Sequence, residues 1–215
     1  MSEVSFDRNA WLTTLSEWQS PLQMNENVEA CNAQAEEFGP MINHGLGFWR
    51  DAYIAEKFAA HMNAEQVRLL HPRPSPDFAI KVGEQVFEFE ATEAMDPNRR
   101  RGDEYREALA KIEKGLSTVQ HDPESDWLTP DRAKDILSQA SKKKAEKMYP
   151  DGCGLVIYLN WSCYDVQLKE IIATFVEATS EAGAAFQSVN ILYGEKCYRT
   201  WENGKAVDLN FTAVD

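Results

Sequence analysis

The chain predicts a mixed α/β fold, one sheet with helices on both faces, and three observations carry that prediction. The first is Pro76–Glu93, PDFAIKVGEQVFEFEATE. Phe78, Ile80 and Val82 alternate with Asp77, Ala79 and Lys81; after Gly83-Glu84-Gln85, Phe87, Phe89 and Ala91 alternate with Glu88, Glu90 and Thr92. Period 2 on both sides of a glycine turn is a β-hairpin. The second is the near-continuous apolar run from Cys153 to Leu159, the pattern of a central strand buried on both faces. The third is the order of elements, namely helix, strand, hairpin, helices, strand, helix, strand, which makes a mixed sheet.

The remaining elements follow in order. Residues 7–20 place Trp11, Leu12, Leu15 and Trp18 on one helical face, ended by Ser20-Pro21. A second helix is expected over Asn25–Phe38, closed by Gly39-Pro40, and these two make an N-terminal helical extension over residues 1–46. A stronger helix over Phe48–Met62 turns Trp49, Tyr53, Ile54, Phe58 and Ala59 to the core. It opens the main α/β domain, residues 47–215. Gly45-Leu46-Gly47 before it is no phosphate loop, because no strand precedes it and no Lys-Ser/Thr follows. Gln66–His71 is a short strand. The prolines of His71-Pro-Arg-Pro-Ser-Pro76 then stiffen the connector that delivers Asp77. Helices are expected over Asp103–Leu116 and from Pro130 through Lys147, and an amphipathic one over Asp165–Ser180. Phe186–Tyr193 is a strand, and Cys197–Trp201 with Asn203-Gly204 reads as a terminal hairpin.

Composition bounds the function. The 215 residues are 43% apolar with ten Phe, seven Tyr and six Trp, enough for a packed core. No run approaches the roughly 20 apolar residues of a membrane span. The start, MSEVSFDRNAW, lacks a signal-peptide pattern, so a cytoplasmic protein without membrane contact is expected. Cys31, Cys153, Cys163 and Cys197 show no C-x-x-C pairing, and the four histidines show no ligand spacing; reduced thiols and structural or surface histidines are expected. The net charge of −13 is uneven. Residues 98–147 hold 12 basic and 10 acidic side chains, whereas residues 1–97 hold 6 and 16. An acidic body repels nucleic acid in general, yet one basic island can still meet phosphates.

The hairpin is where chemistry is expected. Glutamate is depleted in strands, and like charges two apart on one face repel unless a cation lies between them. Glu88 and Glu90 share a face, and Asp77 joins them if the strands pair across the turn. Three carboxylates so placed would form an oxygen cage for a hard divalent cation. The plainer reading is an edge hairpin with solvated glutamates. On the first domain helix, Glu56 sits at the margin of the apolar stripe, where it can lean toward the hairpin or stay in solvent beside Lys57.

Pro76-Asp77 followed by Glu88-x-Glu90-x-Thr92, in this order of elements, resembles the PD-(D/E)xK nuclease superfamily over about residues 47–160. The resemblance implies a restriction-endonuclease-like sheet and Mg2+ (or Mn2+) as cofactor. Carried over, Asp77 and Glu90 match the metal-binding acids, and Glu56 matches the carboxylate many members place on the first helix. Thr92 then stands where the family has its lysine. Taking Glu88 as the acid instead puts Glu90 at the lysine position. A lysine must come from elsewhere. Lys81 shares the strand face with Asp77 but lies ~13 Å away along the strand. Lys142 or Lys143 on the later helix can reach in, as helical basic residues do in some members. Asp77, Glu88, Glu90, Lys81 and Lys143 are thus the expected catalytic set. Arg99, Arg100, Arg101 and Lys142 are the expected phosphate contacts.

Three functions follow: a magnesium-dependent nuclease acting on DNA or RNA, with DNA the expected substrate; a nuclease-like protein that binds or regulates without catalysis; and an acidic immunity or inhibitor protein facing a basic protein partner. The absent lysine and the acidic balance favour the second, and the −13 charge motivates the third.

Overall fold

The computed structural model describes residues 6–37, 47–72, 75–95, 127–161 and 167–209. The expected helix over 103–116 and the arginines at 99–101 lie outside them, as do Cys163, His44 and His121. The described chain is a mixed α/β structure built on one sheet of seven strands. These are β1 (Gln66–Leu69), β2 (Phe78–Val82), β3 (Gln85–Ala94), β4 (Gly154–Leu159), β5 (Ser188–Tyr193), β6 (Lys196–Glu202) and β7 (Lys205–Ala206), and their spatial order equals their sequence order. β1–β2–β3 is an antiparallel meander, β3–β4–β5 run parallel, and β5–β6–β7 return antiparallel. The hairpin and the inclusion of Leu155–Leu159 in the same sheet agree with the alternation read from the sequence.

Among the described residues six helices cover the sheet: α1 (Arg8–Ser16), α2 (Pro21–Glu37), α3 (Gly47–His61), α4 (Pro130–Ala145), α5 (Leu168–Ala178) and α6 (Ser180–Ala185). Strand alternation decides which helices each side chain meets. Phe78, Ile80, Phe89, Ala91 and Val156 face α1–α3, where they share a core with Leu12, Leu15, Val28, Ile54 and Phe58. The helices of the N-terminal 46 residues thus pack into the same core as α3 and the meander. The centre of that core is three phenylalanines: Phe58 lies edge-on to Phe89 at 4.7 Å, and Phe78 stacks on Phe89 at 5.4 Å. The opposite face carries Ala94, Leu155, Ile157, Leu159, Val189 and Ile191 against α4, α5 and α6.

Two glycines are required by this packing. Gly83 turns the β2–β3 hairpin at φ +59°, and its N–H donates to Glu65 Oε1 at 3.1 Å. Gly154 opens β4 directly beside Phe89, and a Cβ there would run into the Phe89 ring. The free edge of β1 is partly covered, since Gln19 exchanges backbone hydrogen bonds with Val67 at 3.2 and 2.8 Å.

Candidate active site

The site forms where the chain enters β2. Asp77 precedes the strand, and its backbone is held on both sides: its N–H donates to Phe89 O at 2.9 Å, and its C=O accepts from Leu70 N at 2.9 Å. Because Phe78 pairs with Phe89, Asp77 comes level with Glu90, on the α4 side of the sheet. The Asp77 side chain is fixed as well, Oδ2 accepting from Ala91 N at 2.8 Å. Glu90 is 4% exposed. A carboxylate that deep requires partners, and three side chains supply them. Lys144 of α4 donates to Glu90 Oε1 at 2.5 Å and to Ala91 O at 2.9 Å. Ser75 Oγ donates to Oε2 at 3.0 Å, and Tyr149 OH reaches Oε1 at 3.4 Å.

The phase of α4 decides which lysine enters. Thr129 caps the helix, accepting from Arg132 N at 3.4 Å, and Pro130 occupies its first turn. Ala133, Ile136, Leu137 and Ser141 are the buried face. Seven residues on from Leu137, the same face presents Lys144. Lys142 and Lys143 point to solvent. Lys81 pairs with Gln66 and Val86, four residues beyond Asp77 along β2. The structure therefore gathers Asp77, Glu90 and Lys144, and leaves Lys81, Lys142 and Lys143 outside the cluster. Glu88, half-buried opposite Ala79, lies two residues nearer the turn on the same face as Glu90.

The helix carboxylate at the site is Asp51. Its charge acts on Asp77, and Lys144 and Glu90 act on it. Glu56 lies five residues further along α3, about 140° around the helix. It is buried elsewhere, with Lys57 Nζ at 3.7 Å and the charges of Glu29 and Glu195 as neighbours. Sequence reasoning missed Asp51, Lys144, Ser75 and Tyr149. For Lys144 a signal existed, the buried phase from Ala133 to Ser141. For Asp51 it was the stripe through Ala55 and Phe58 prolonged toward the helix start.

Burial governs the electrostatics, and the neighbouring carboxylates add to it. Burial pushes the Asp77 carboxyl up to about 7, with the charges of Asp51 and Glu90 adding to the rise; the Ala91 N–H and Lys144 oppose it. Burial raises Asp51 too, against the Arg50 guanidinium 3.0 Å away. Burial and the neighbouring Glu90 raise the Tyr149 phenol, so Tyr149 enters the site as a neutral donor. Burial holds the Cys153 thiol at about 12, protonated beside the same carboxylates.

The donors suit a hard cation: carboxylate oxygens, one of them hard to ionise until positive charge arrives. Among the described residues no group of three or more His, Cys, Asp or Glu side chains is disposed to hold a metal ion. Asp77 and Glu90 are a pair, and magnesium is commonly held by one or two carboxylates with water and substrate phosphate completing its shell. Among the described residues no helix is long and apolar enough to cross a membrane. No family model, no curated protein and no solved structure matches the chain.

Proposed function

We propose that the chain is a metal-dependent phosphodiesterase of the PD-(D/E)xK nuclease class, with DNA as substrate and a restriction-endonuclease-like arrangement of its α3–β1–β2–β3–α4–β4 segment. The observation that carries this reading is the meeting of Asp77, Glu90 and Lys144, drawn from the start of β2, the middle of β3 and the end of α4. Lys144 supplies the ammonium for which Thr92 leaves no side chain, since its Nζ bonds the backbone of Ala91, the residue between Glu90 and Thr92.

Asp77 and Glu90 would hold Mg2+ or Mn2+, which when bound supplies charge neutralisation at the phosphate and a water of lowered pKa. The chain's own groups do the rest. Ala91 N–H orients the Asp77 carboxylate, and Ser75 with Tyr149 orients Glu90. Lys144, held on Glu90 Oε1 and Ala91 O, keeps a positive charge beside the position of the attacking water and the developing negative charge. Asp51 adds a further negative charge from α3, which acts on Asp77.

A second reading has its own observation: Glu90 already has Lys144, Ser75 and Tyr149 as partners, the pattern of a satisfied structural network. A protein of that kind would bind or regulate without hydrolysis. Incubating wild type, Asp77→Asn and Lys144→Met with end-labelled duplex DNA in Mg2+ and in EDTA separates the two. The nuclease reading expects Mg2+-dependent cleavage by wild type alone. Intact substrate in every lane, or cleavage undiminished in Asp77→Asn, would refute it.

A further inference from the structure

Four exposed residues around Lys144 form a surface of their own. Lys142, Lys143 and Lys147 are exposed, and Met148 is 98% exposed. They border the site closely, because Lys143 and Met148 are sequence neighbours of Lys144 and Tyr149, whose tips both reach Glu90 Oε1. From Ser141 to Tyr149 there are four lysines and one glutamate, in a chain of net charge −13. An acidic body with a cationic ridge directs an anionic polymer to that ridge.

A plainer account exists for the lysines. Cations in the last turn of a helix complement its macrodipole, and α4 ends at Ala145. That account leaves Met148 unexplained. A thioether side chain almost wholly in water stabilises nothing in the fold, and it stands beside the cationic ridge and the acidic cluster.

We infer that the end of α4 and the residues after it are the docking surface for duplex nucleic acid, with Lys142, Lys143 and Lys147 on backbone phosphates and Met148 against base edges in the minor groove. The inference rests on the nuclease reading and names the form of its substrate. Single strands are gripped by aromatic rings on which bases stack. Among the described residues the large exposed apolar side chains are Leu22, Val86, Phe87 and Met148, and of these only Met148 stands on the ridge. An unbranched apolar side chain among cations suits a groove wedge, and it reads no sequence.

Fluorescence anisotropy in Ca2+ buffer, over a salt series, tests the surface with a labelled duplex and the matching single strand. Wild type is expected to bind the duplex more tightly. Replacing Lys142→Gln, Lys143→Gln and Lys147→Gln together should weaken duplex binding alike for unrelated sequences. It should also flatten the slope of log affinity on log salt by up to about 3, near 0.9 per phosphate. Met148→Ala should weaken duplex binding at an unchanged slope. All four positions are exposed, so melting curves equal to wild type are expected for each variant. Unchanged affinity and slope in the triple variant, or a wild type that prefers the single strand, overturns the surface. If Mg2+-dependent cleavage is meanwhile present and lost in Asp77→Asn, the nuclease reading stands without it. Absence of both binding and cleavage removes both.

Discussion

Two buried glutamates lie on opposite sides of this sheet, and the difference between them says more about function than either alone. Glu90 and Glu56 are 4% and 6% exposed, and each has a lysine beside it. Glu90 is held by three side chains from two separate parts of the chain, including a lysine 54 residues away in sequence. Glu56 has its own sequence neighbour Lys57 at 3.7 Å, and its Oε2 has no hydrogen bond among the described residues. Burial is common to both; convergence is not. Convergent polar groups cost chain entropy to assemble and persist where the fold over-determines them. That distinguishes a built site from a carboxylate caught under a helix.

The comparison breaks first at the lysines. Lys144→Met removes the partner of a buried carboxylate, which costs about 3–5 kcal/mol, and should lower any cleavage rate by roughly 10²–10³-fold. Urea denaturation and single-turnover kinetics read the two effects. The double variant Lys144→Met with Glu90→Gln should recover most of the stability and none of the activity, because it removes the stranded charge and leaves the chemistry without either group. Recovery of both would reduce the pair to a structural contact.

Asp77 gives the next largest effect, through pH. A carboxyl held at about 7 in the fold keeps a proton that the unfolded chain, with a carboxyl near 3.9, has lost. Metal-free stability should therefore fall as pH rises from about 4 to 7, by on the order of 2–4 kcal/mol from this group alone. Asp77→Asn, whose side-chain oxygen can still accept from Ala91 N, should abolish that slope and be the more stable protein at neutral pH in EDTA. A wild type whose stability rises across this interval as steeply as the variant's would place the proton elsewhere. The smallest effect belongs to the other glutamate. Glu56→Gln should shift stability by no more than about 1 kcal/mol and leave cleavage unchanged. Loss of cleavage there would move the site to the far face of the sheet.

Much of this was legible in the residues, for identifiable reasons. Period 2 around Gly83 specified the β2–β3 hairpin, and with it the approach of Asp77 to Glu90, because pairing across a short turn leaves little freedom of register. The apolar run 153–159 specified a buried strand. Helices were less determinate. A run of three lysines offers three phases, and only packing through Ala133, Ile136, Leu137 and Ser141 selects Lys144 over Lys142 and Lys143. On α3, Asp51 and Glu56 are equally polar, and only the stripe through Ala55 and Phe58, prolonged to the helix start, separates Asp51 from Glu56. Ser75 and Tyr149 lie in irregular segments whose placement no periodicity encodes.

The central claim is that a divalent cation is bound by Asp77 and Glu90. Calorimetric titration of Mn2+ into the metal-free protein tests it most directly, with wild type, Asp77→Asn, Glu90→Gln and Glu56→Gln in parallel. The account predicts saturable binding in wild type and Glu56→Gln, and its loss in Asp77→Asn and Glu90→Gln. Undiminished binding in Asp77→Asn, or no saturable binding by wild type, would contradict it.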